Sequence, residues 1–364
     1  LSAATVGGGG GAEIRRLLSE NLDAAGFYGH GFLSGDAFAD VLDETRVPAE
    51  VRRRYSGSGA DAPGCAERAA GAASVAVVAL RYGEGEFGDA AAAGELRAGA
   101  APDETAVRLA RFARANWYRE LSGRLQAAVS ATIAQAARTG LALPPAKAWR
   151  RLVNSGLPEK PSAAAAGLGW LGRNGLLVAA KGKGADGPEF SSAVVLGLLL
   201  CPVDLEPPEA EPRARRCGSC RRCVESCPTG ALGAAGGEPS FARELCIQHW
   251  TALAGELPGP IADALGGRLY GCDSCLEACP YFSTDSDAAD APGRLGPALS
   301  ARRILELDDT ALRRAFAGTA LDRSWMSLDA FRRNARLALD RGGKAPESGA
   351  LGDNRAGGGG RADC

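Results

Sequence analysis

Apolar residues along the first 200 positions recur in two rhythms, one helical and one extended. IRRLLSENLDAAGF, from Ile14, spaces its isoleucine and leucines for one face of a helix and is closed by Gly26. SVAVVAL (74–80) is an unbroken β-branched run between small residues and predicts a buried strand. From Asp103, read as an N-cap after Pro102, a long helix is expected to run towards Gly140. Within it Trp117, Leu121, Leu125 and Val129 recur every four residues and predict a face packed on the core. GLLVAA (175–180) and SAVVLGLLL (192–200) predict two more strands, separated by the turn-rich KGKGADGP. Helices and strands therefore mix through this half of the chain.

The pattern then changes. PVDLEPPEAEP (202–212) reads as an extended linker, because closely spaced prolines resist regular structure. A cysteine-rich stretch follows to about Tyr281, and beyond it SARRILELDDTALRRAFAG and LDAFRRNARLAL predict two short helices. The reading divides the chain into a disordered leader (1–12), an α/β domain (13–201), a cysteine-rich domain (202–285), a helical segment (286–341) and a disordered tail (342–364).

Composition narrows the function. A 364-residue chain that is 46% apolar can bury one large core or two moderate ones. The formal charge of -1 supplies no global field towards nucleic acid or an anionic membrane, so such binding requires a local patch. No apolar stretch is long enough for a membrane span and the N-terminus has no basic region followed by an apolar run, so a cytoplasmic protein is expected. In a reducing compartment 11 cysteines argue for metal or cluster ligation rather than a disulfide framework.

Their spacing says which. Cys217, Cys220, Cys223 and Cys227 form C-x2-C-x2-C-x3-C followed by Pro228, the arrangement of bacterial two-cluster ferredoxins, in which the fourth thiolate ligates the other cluster. Cys272, Cys275 and Cys279, followed by Pro280, form a second run one member short, and Cys246 in ELCIQHW completes the eight. Crossed wiring then assigns Cys217, Cys220, Cys223 and Cys279 to one 4Fe-4S cluster, and Cys227, Cys246, Cys272 and Cys275 to the other. The rival reading, a pair of zinc sites, favours two separated C-x2-C knuckles instead. Cys201 ends an apolar strand and reads as a small buried residue, while Cys65 and Cys364 fall in loop or tail contexts. GLGWLG (167–172) matches G-x-G-x-x-G literally, but a helical stretch precedes it and a strand follows, the reverse of a dinucleotide fingerprint.

Taken together, GLGWLGRNGLLV, CGSCRRCVESCPTGAL, GCDSCLEACP, AFAGTAL and FRRNARLAL resemble the epoxyqueuosine reductase family, collinearly from about Ile14 to Leu339. The resemblance implies an α+β protein, with an N-terminal mixed α/β domain of corrinoid-binding type, a ferredoxin-like two-cluster domain and short C-terminal helices. It implies two 4Fe-4S clusters, cobalamin, and reduction of epoxyqueuosine to queuosine in tRNA. It also implies an external electron donor such as ferredoxin or flavodoxin, with the protein acting as a monomer. Trp170, Arg173, Gly169 and Gly172 are the expected corrinoid contacts.

The chain departs from the family at two places. An Arg-Asp-Tyr-His stretch of the family corresponds to Ala115, Asn116, Trp117 and Tyr118, and the family's proton-donating aspartate corresponds to Val153 or Asn154. Glu159 and Tyr118 are the candidate replacements, since general acid catalysis is worth roughly two to four orders of magnitude. His30 and His249, the only histidines, read as structural imidazoles that could also serve as an axial ligand or tune a cluster. Arg302, Arg303, Arg313, Arg314, Arg332, Arg333 and Arg336, with Arg213, Arg215 and Arg216, form the local basic cast that tRNA phosphates would need, partly balanced by Glu306, Asp308 and Asp309. A corrinoid reductase with a non-tRNA substrate and a ferredoxin-type carrier without corrinoid are the alternatives.

Overall fold

A computed structural model describes residues 10–43, 72–83, 96, 105–155, 157–184, 187–233, 241–283, 293–323 and 326–341. The expected tail, Cys65, Cys364 and the Asp103 cap lie outside these residues. The strands are β1 (Gly29–Ser34), β2 (Ser74–Arg81), β3 (Ala106–Leu109), β4 (Arg150–Leu152), β5 (Gly169–Leu171), β6 (Leu177–Gly184), β7 (Gly187–Ser191), β8 (Val194–Cys201), β9 (Arg268–Tyr270) and β10 (Ala298–Ser300). The helices are α1 (Gly10–Ala24), α2 (Gly35–Leu42), α3 (Trp117–Arg138), α4 (Glu159–Ala165), α5 (Arg222–Glu225), α6 (Ile247–Trp250), α7 (Gly259–Ala264), α8 (Ser274–Glu277), α9 (Ala301–Glu306), α10 (Asp309–Phe316) and α11 (Leu328–Asp340).

The chain divides into two interleaved units. One comprises 1–82, 117–215 and 280–286, the other 83–116, 216–279 and 287–364. The linear division expected from sequence differs, because 83–116 joins the cysteine-rich unit and the segment after Pro280 returns to the first.

In the first unit β2 is internal to its sheet because its run from Val75 to Leu80 is apolar on both faces. Val75 through Ala79 are fully buried, and β2 pairs antiparallel with β1 on one side and β8 on the other, β4 closing the order β1-β2-β8-β4. Helix α1 starts at Gly10, so it takes in residues 10–12 that the sequence reading left disordered. Trp117, Leu121, Leu125 and Val129 of α3 are all buried, as their spacing predicts. A second antiparallel sheet, β5-β6-β7, follows α4, so GLGWLG runs from the end of a helix through the first strand of a hairpin. The KGKG residues expected to turn continue β6 to Gly184 instead.

The 202–212 stretch carries no regular structure, yet its start is packed rather than free. Val203 and Leu205 are fully buried, Ser74 Oγ receives the Leu205 N–H at 3.0 Å, and Arg15 reaches the Leu205 carbonyl at 2.7 Å. Val203 and Leu205 thus anchor the start of the segment, while most of 206–212 is exposed, as an extended linker would be.

In the second unit the sheet β10-β3-β9 pairs β3 antiparallel to β10 and parallel to β9. The expected long helix from Asp103 is therefore corrected: residues 106–109 form a strand, and the helix begins at Trp117. Leu109, Leu299, Ile304, Leu312, Phe316 and Phe331 belong to one core under this sheet. Three C-terminal helices stand where two were expected, because Asp308 caps α10 by accepting the Ala311 N–H at 2.8 Å. Ser300 and Ser327 cap α9 and α11 in the same way.

Candidate functional site

The eight motif cysteines all lie in the second unit and arise from two similar local structures. Each run threads a short helix, α5 or α8, whose backbone places a cysteine within the helix and another after it, and Pro228 and Pro280 follow the last cysteine of each run. Ser226 Oγ donates to the Ser274 carbonyl at 3.0 Å and so ties the two runs together. Cys246 arrives from a separate turn at the start of α6, where Thr229 Oγ1 donates to the neighbouring Leu245 carbonyl at 2.5 Å.

The thiols fall into two electrostatic neighbourhoods. Burial pushes the Cys223 thiol up, and the charges that add to the shift belong to Cys279, Cys217 and Cys220. Burial likewise raises Cys246, whose neighbouring charges are Cys272 and Cys227. The Cys275 thiol is raised by burial first, then by Cys272, Cys246 and Cys227, with Cys223 acting last. Burial first, and repulsion second, keep the protons on such thiols until a cation joins them; a bound metal reverses that balance. Among the described residues no three His, Cys, Asp or Glu close on a point as a single-ion site does.

Backbone N–H groups of Gln248 and His249 are directed at Cys246 and favour its thiolate, the kind of contact that sets the potential of an iron–sulfur centre. His249 itself accepts from Arg243 Nε at Nδ1 (3.3 Å), and burial followed by the Arg243 charge lowers its pKa. Ser274 Oγ stands 3.5 Å from Cys272 Sγ, and Thr229 Oγ1 3.8 Å from Cys227 Sγ. These polar neighbours were not singled out from sequence, although Cys-x-Ser and Cys-x-Thr are legible as spacings.

In the first unit the candidate residues stand as follows. Trp170 is buried against Phe190 and Tyr281, with ring centroids 4.9 and 5.2 Å away. Gly169 is required by its own hairpin, since a Cβ there would sit 2.1 Å from the Val178 carbonyl oxygen, and Gly172 closes the same turn against Asn174. Arg173 is buried at the following turn.

Val153 packs towards β8, its Cγ2 3.4 Å from where a Cβ on Gly197 would lie, and offers no proton. Asn154 is exposed in a left-handed conformation, φ 52°. Glu159 accepts the Ser155 N–H at 3.3 Å and also receives the Asn154 N–H, while burial pushes its carboxyl up to about 7. Tyr118 is half-buried on the first turn of α3. Asn116, in the second unit, holds the Gly318 and Thr319 carbonyls at 3.0 and 3.2 Å.

His30 lies in β1 rather than in a turn, its Nε2 3.2 Å from Asp23, and burial lowers its pKa. Its Nδ1, the Tyr28 hydroxyl and the Trp117 indole N–H are buried polar atoms with no hydrogen-bond partner among the described residues. Cys201 is fully buried, and burial drives its thiol up to about 12, so it is inert.

Among the basic residues, Arg303 pairs with Glu306 at 2.9 Å and Arg332 with Asp309 at 2.5 Å. Arg333 donates to the Trp250, Leu253 and Gly255 carbonyls, and Arg213 to the Gly167 carbonyl. Part of the expected patch is thus committed to structure.

Residues 216–282 match the 4Fe-4S double cluster binding domain family, which spans the eight cysteines. The chain is 32% identical over 198 residues to the epoxyqueuosine reductase of Listeria monocytogenes, covering 53% of this chain and 48% of the relative. It is 36% identical over 196 residues to the epoxyqueuosine reductase of Gloeobacter violaceus, covering 51% and 56%. The chain spans about half the length of these relatives. A solved structure of epoxyqueuosine reductase with an epoxyqueuosine-modified tRNA-Tyr stem loop has the same fold at a TM-score of 0.69 and 22% identity, covering 91% of this chain and 82% of that one. The Bacillus subtilis epoxyqueuosine reductase gives 0.69 at 21% identity, covering 93% and 84%.

Proposed function

We propose that the chain is a member of the epoxyqueuosine reductase family, supported by its similarity to those relatives over about half their length, and that it is an iron–sulfur, cobalamin-dependent reductase that converts epoxyqueuosine to queuosine in tRNA. The observation that carries this reading is the sorting of eight thiols into two neighbourhoods of four. In it, Cys217, Cys220, Cys223 and Cys279 ligate one cluster, and Cys227, Cys246, Cys272 and Cys275 the other. The donor set fits: cysteine sulfurs alone, half-buried except for the buried Cys223, with backbone N–H groups aimed at Cys246.

The α/β unit is read as the corrinoid and substrate domain, followed by a ferredoxin-like domain. The support for a corrinoid there is the orphaned buried polar atoms of Tyr28, His30 and Trp117, a donor and acceptor set that the amide side chains of such a macrocycle would satisfy. Trp170 and Arg173 are read as framing that site, with Gly169 and Gly172 keeping their hairpin close. When bound, these groups supply the electrons and the reduced cobalt that removal of an epoxide oxygen needs. The protein's own part is to exclude water, hold the tRNA through arginines such as Arg302, Arg313, Arg314 and Arg336, and keep a proton near the reacting oxygen. Glu159 is the residue for the last role, since a carboxyl whose pKa is about 7 still carries its proton near neutrality; Tyr118 is the second candidate.

A second reading, a corrinoid reductase acting on a substrate other than tRNA, is favoured by Val153 and Asn154 standing where the family carries its acid. Anaerobic purification with iron, sulfide and cobalt analysis, followed by incubation with an epoxyqueuosine-bearing tRNA stem loop, decides. The expected result is about eight irons per cobalt and conversion to queuosine. Cobalt binding without conversion would move the assignment to the second reading, and iron without cobalt would reduce the protein to an electron carrier.

A further inference from the structure

A cleft in the second unit opens beside Cys272 and is lined by Arg108, Arg114 and Arg268, with Asp273 and Glu277 at its edge. Arg108 and Arg268 are register partners on the parallel strands β3 and β9, so two guanidinium groups leave the sheet side by side. Like charges so placed repel. Arg268 is fixed by the Ala264 and Leu265 carbonyls at 3.1 and 2.9 Å and by Ser274 Oγ at 3.2 Å, and Arg114 by the Leu109 carbonyl at 3.1 Å. Arg108 is exposed, and its side chain has no hydrogen bond or ion pair among the described residues.

The acids of the cleft are already engaged. Glu277 pairs with Arg111 at 3.0 Å, and Asp273 accepts the Arg111 backbone N–H at 2.7 Å. Three arginines against two acids leave the cleft an excess of positive charge, with Asp273 facing the Arg114 charge and Arg108 carrying the exposed part, next to a thiol of the proposed second cluster.

We propose that this cleft is the docking site of an acidic one-electron carrier protein, whose surface carboxylates pair with Arg108, Arg268 and Arg114 while it delivers an electron to the cluster held by Cys272. The inference rests on the two-cluster reading above. In each encounter the carrier is oxidised by one electron and the cluster reduced by one, so two encounters supply a two-electron deoxygenation. Charge complementarity favours this partner: steering by such a patch raises association rates and fades with salt.

The test uses the whole chain with its clusters assembled, reduced plant-type ferredoxin as the acidic carrier, and reduced viologen as a small reductant that needs no protein docking. Stopped-flow cluster reduction by ferredoxin should fall about tenfold in Arg108→Glu at low salt and converge with the parent at high salt. Arg108→Lys should stay near the parent, and viologen should reduce all three equally. Equal ferredoxin rates in Arg108→Glu overturn the docking site alone. So does a loss of viologen reduction, which makes Arg108 structural, or a loss confined to tRNA stem-loop binding, which makes the cleft an RNA surface. A chain that assembles no cluster overturns the reading beneath it.

Discussion

The carboxyl of Glu159 stands at the start of α4 with the N–H groups of Asn154 and Ser155 turned towards it, and burial outweighs those bonds in setting its proton affinity. Its pKa rises from an ordinary 4.5 to about 7, so the folded protein holds a proton that the unfolded chain has released. The stabilisation is complete below 4.5 and is lost as pH climbs through 7. Partial exposure tempers the size to about 2 kcal/mol between pH ~5 and pH ~8. Urea unfolding of the parent should show that fall, and Glu159→Gln should flatten it. If Glu159 is also the acid, the same variant should lose two or more orders of magnitude in turnover while keeping its cofactors. Glu159 was visible in the sequence as the nearest carboxyl, but its burial was not, because that depends on packing the local sequence does not display.

Among the elements, those that bury both faces were the most legible. β2 and β8 follow from continuous apolar runs, and the α3 stripe from its four-residue spacing. β3 was misread because Val107 and Leu109 alternate with Ala106 and Arg108 over only four positions, too few to distinguish a period of two from a helical turn. What decides it is pairing with β9, some 160 residues later. The turn after β9 is the most demanding position in this sheet. Gly271 has φ 83°, and a Cβ there would lie 2.4 Å from the Ala110 Cβ and 2.8 Å from Gln248 Oε1. Gly271→Ala should therefore destabilise the unit by about 2–3 kcal/mol. It should also displace Cys272, read as a lower melting temperature and a loss of iron confined to one cluster.

At the scale of the molecule, the cysteine-rich unit was legible because thiolate spacing is dictated by cluster geometry rather than by packing, and residues 216–282 match a double-cluster family. Cys246→Ser should leave about four irons where the parent holds about eight, with the signal of one reduced cluster persisting in electron paramagnetic resonance; a full iron complement would break the assignment. The interleaving of the units was not legible, since it depends on contacts between segments far apart in sequence. Val107 and Leu109 share a core with Leu299 and Phe331, and the chain passes between units at 82/83, 116/117, 215/216, 279/280 and 286/287.

The return of residues 280–286 to the first unit bears on how the protein is made. Tyr281 completes a three-ring packing with Trp170 and Phe190, and its carbonyl accepts the Ser192 N–H at 2.9 Å. A nascent chain that has just exposed residue 215 on the ribosome still lacks that ring, and roughly 70 more residues take several seconds to appear. All eight motif cysteines are translated before Tyr281 emerges, so the amino-terminal lobe does not gain its last ring until each of those thiols has already left the tunnel.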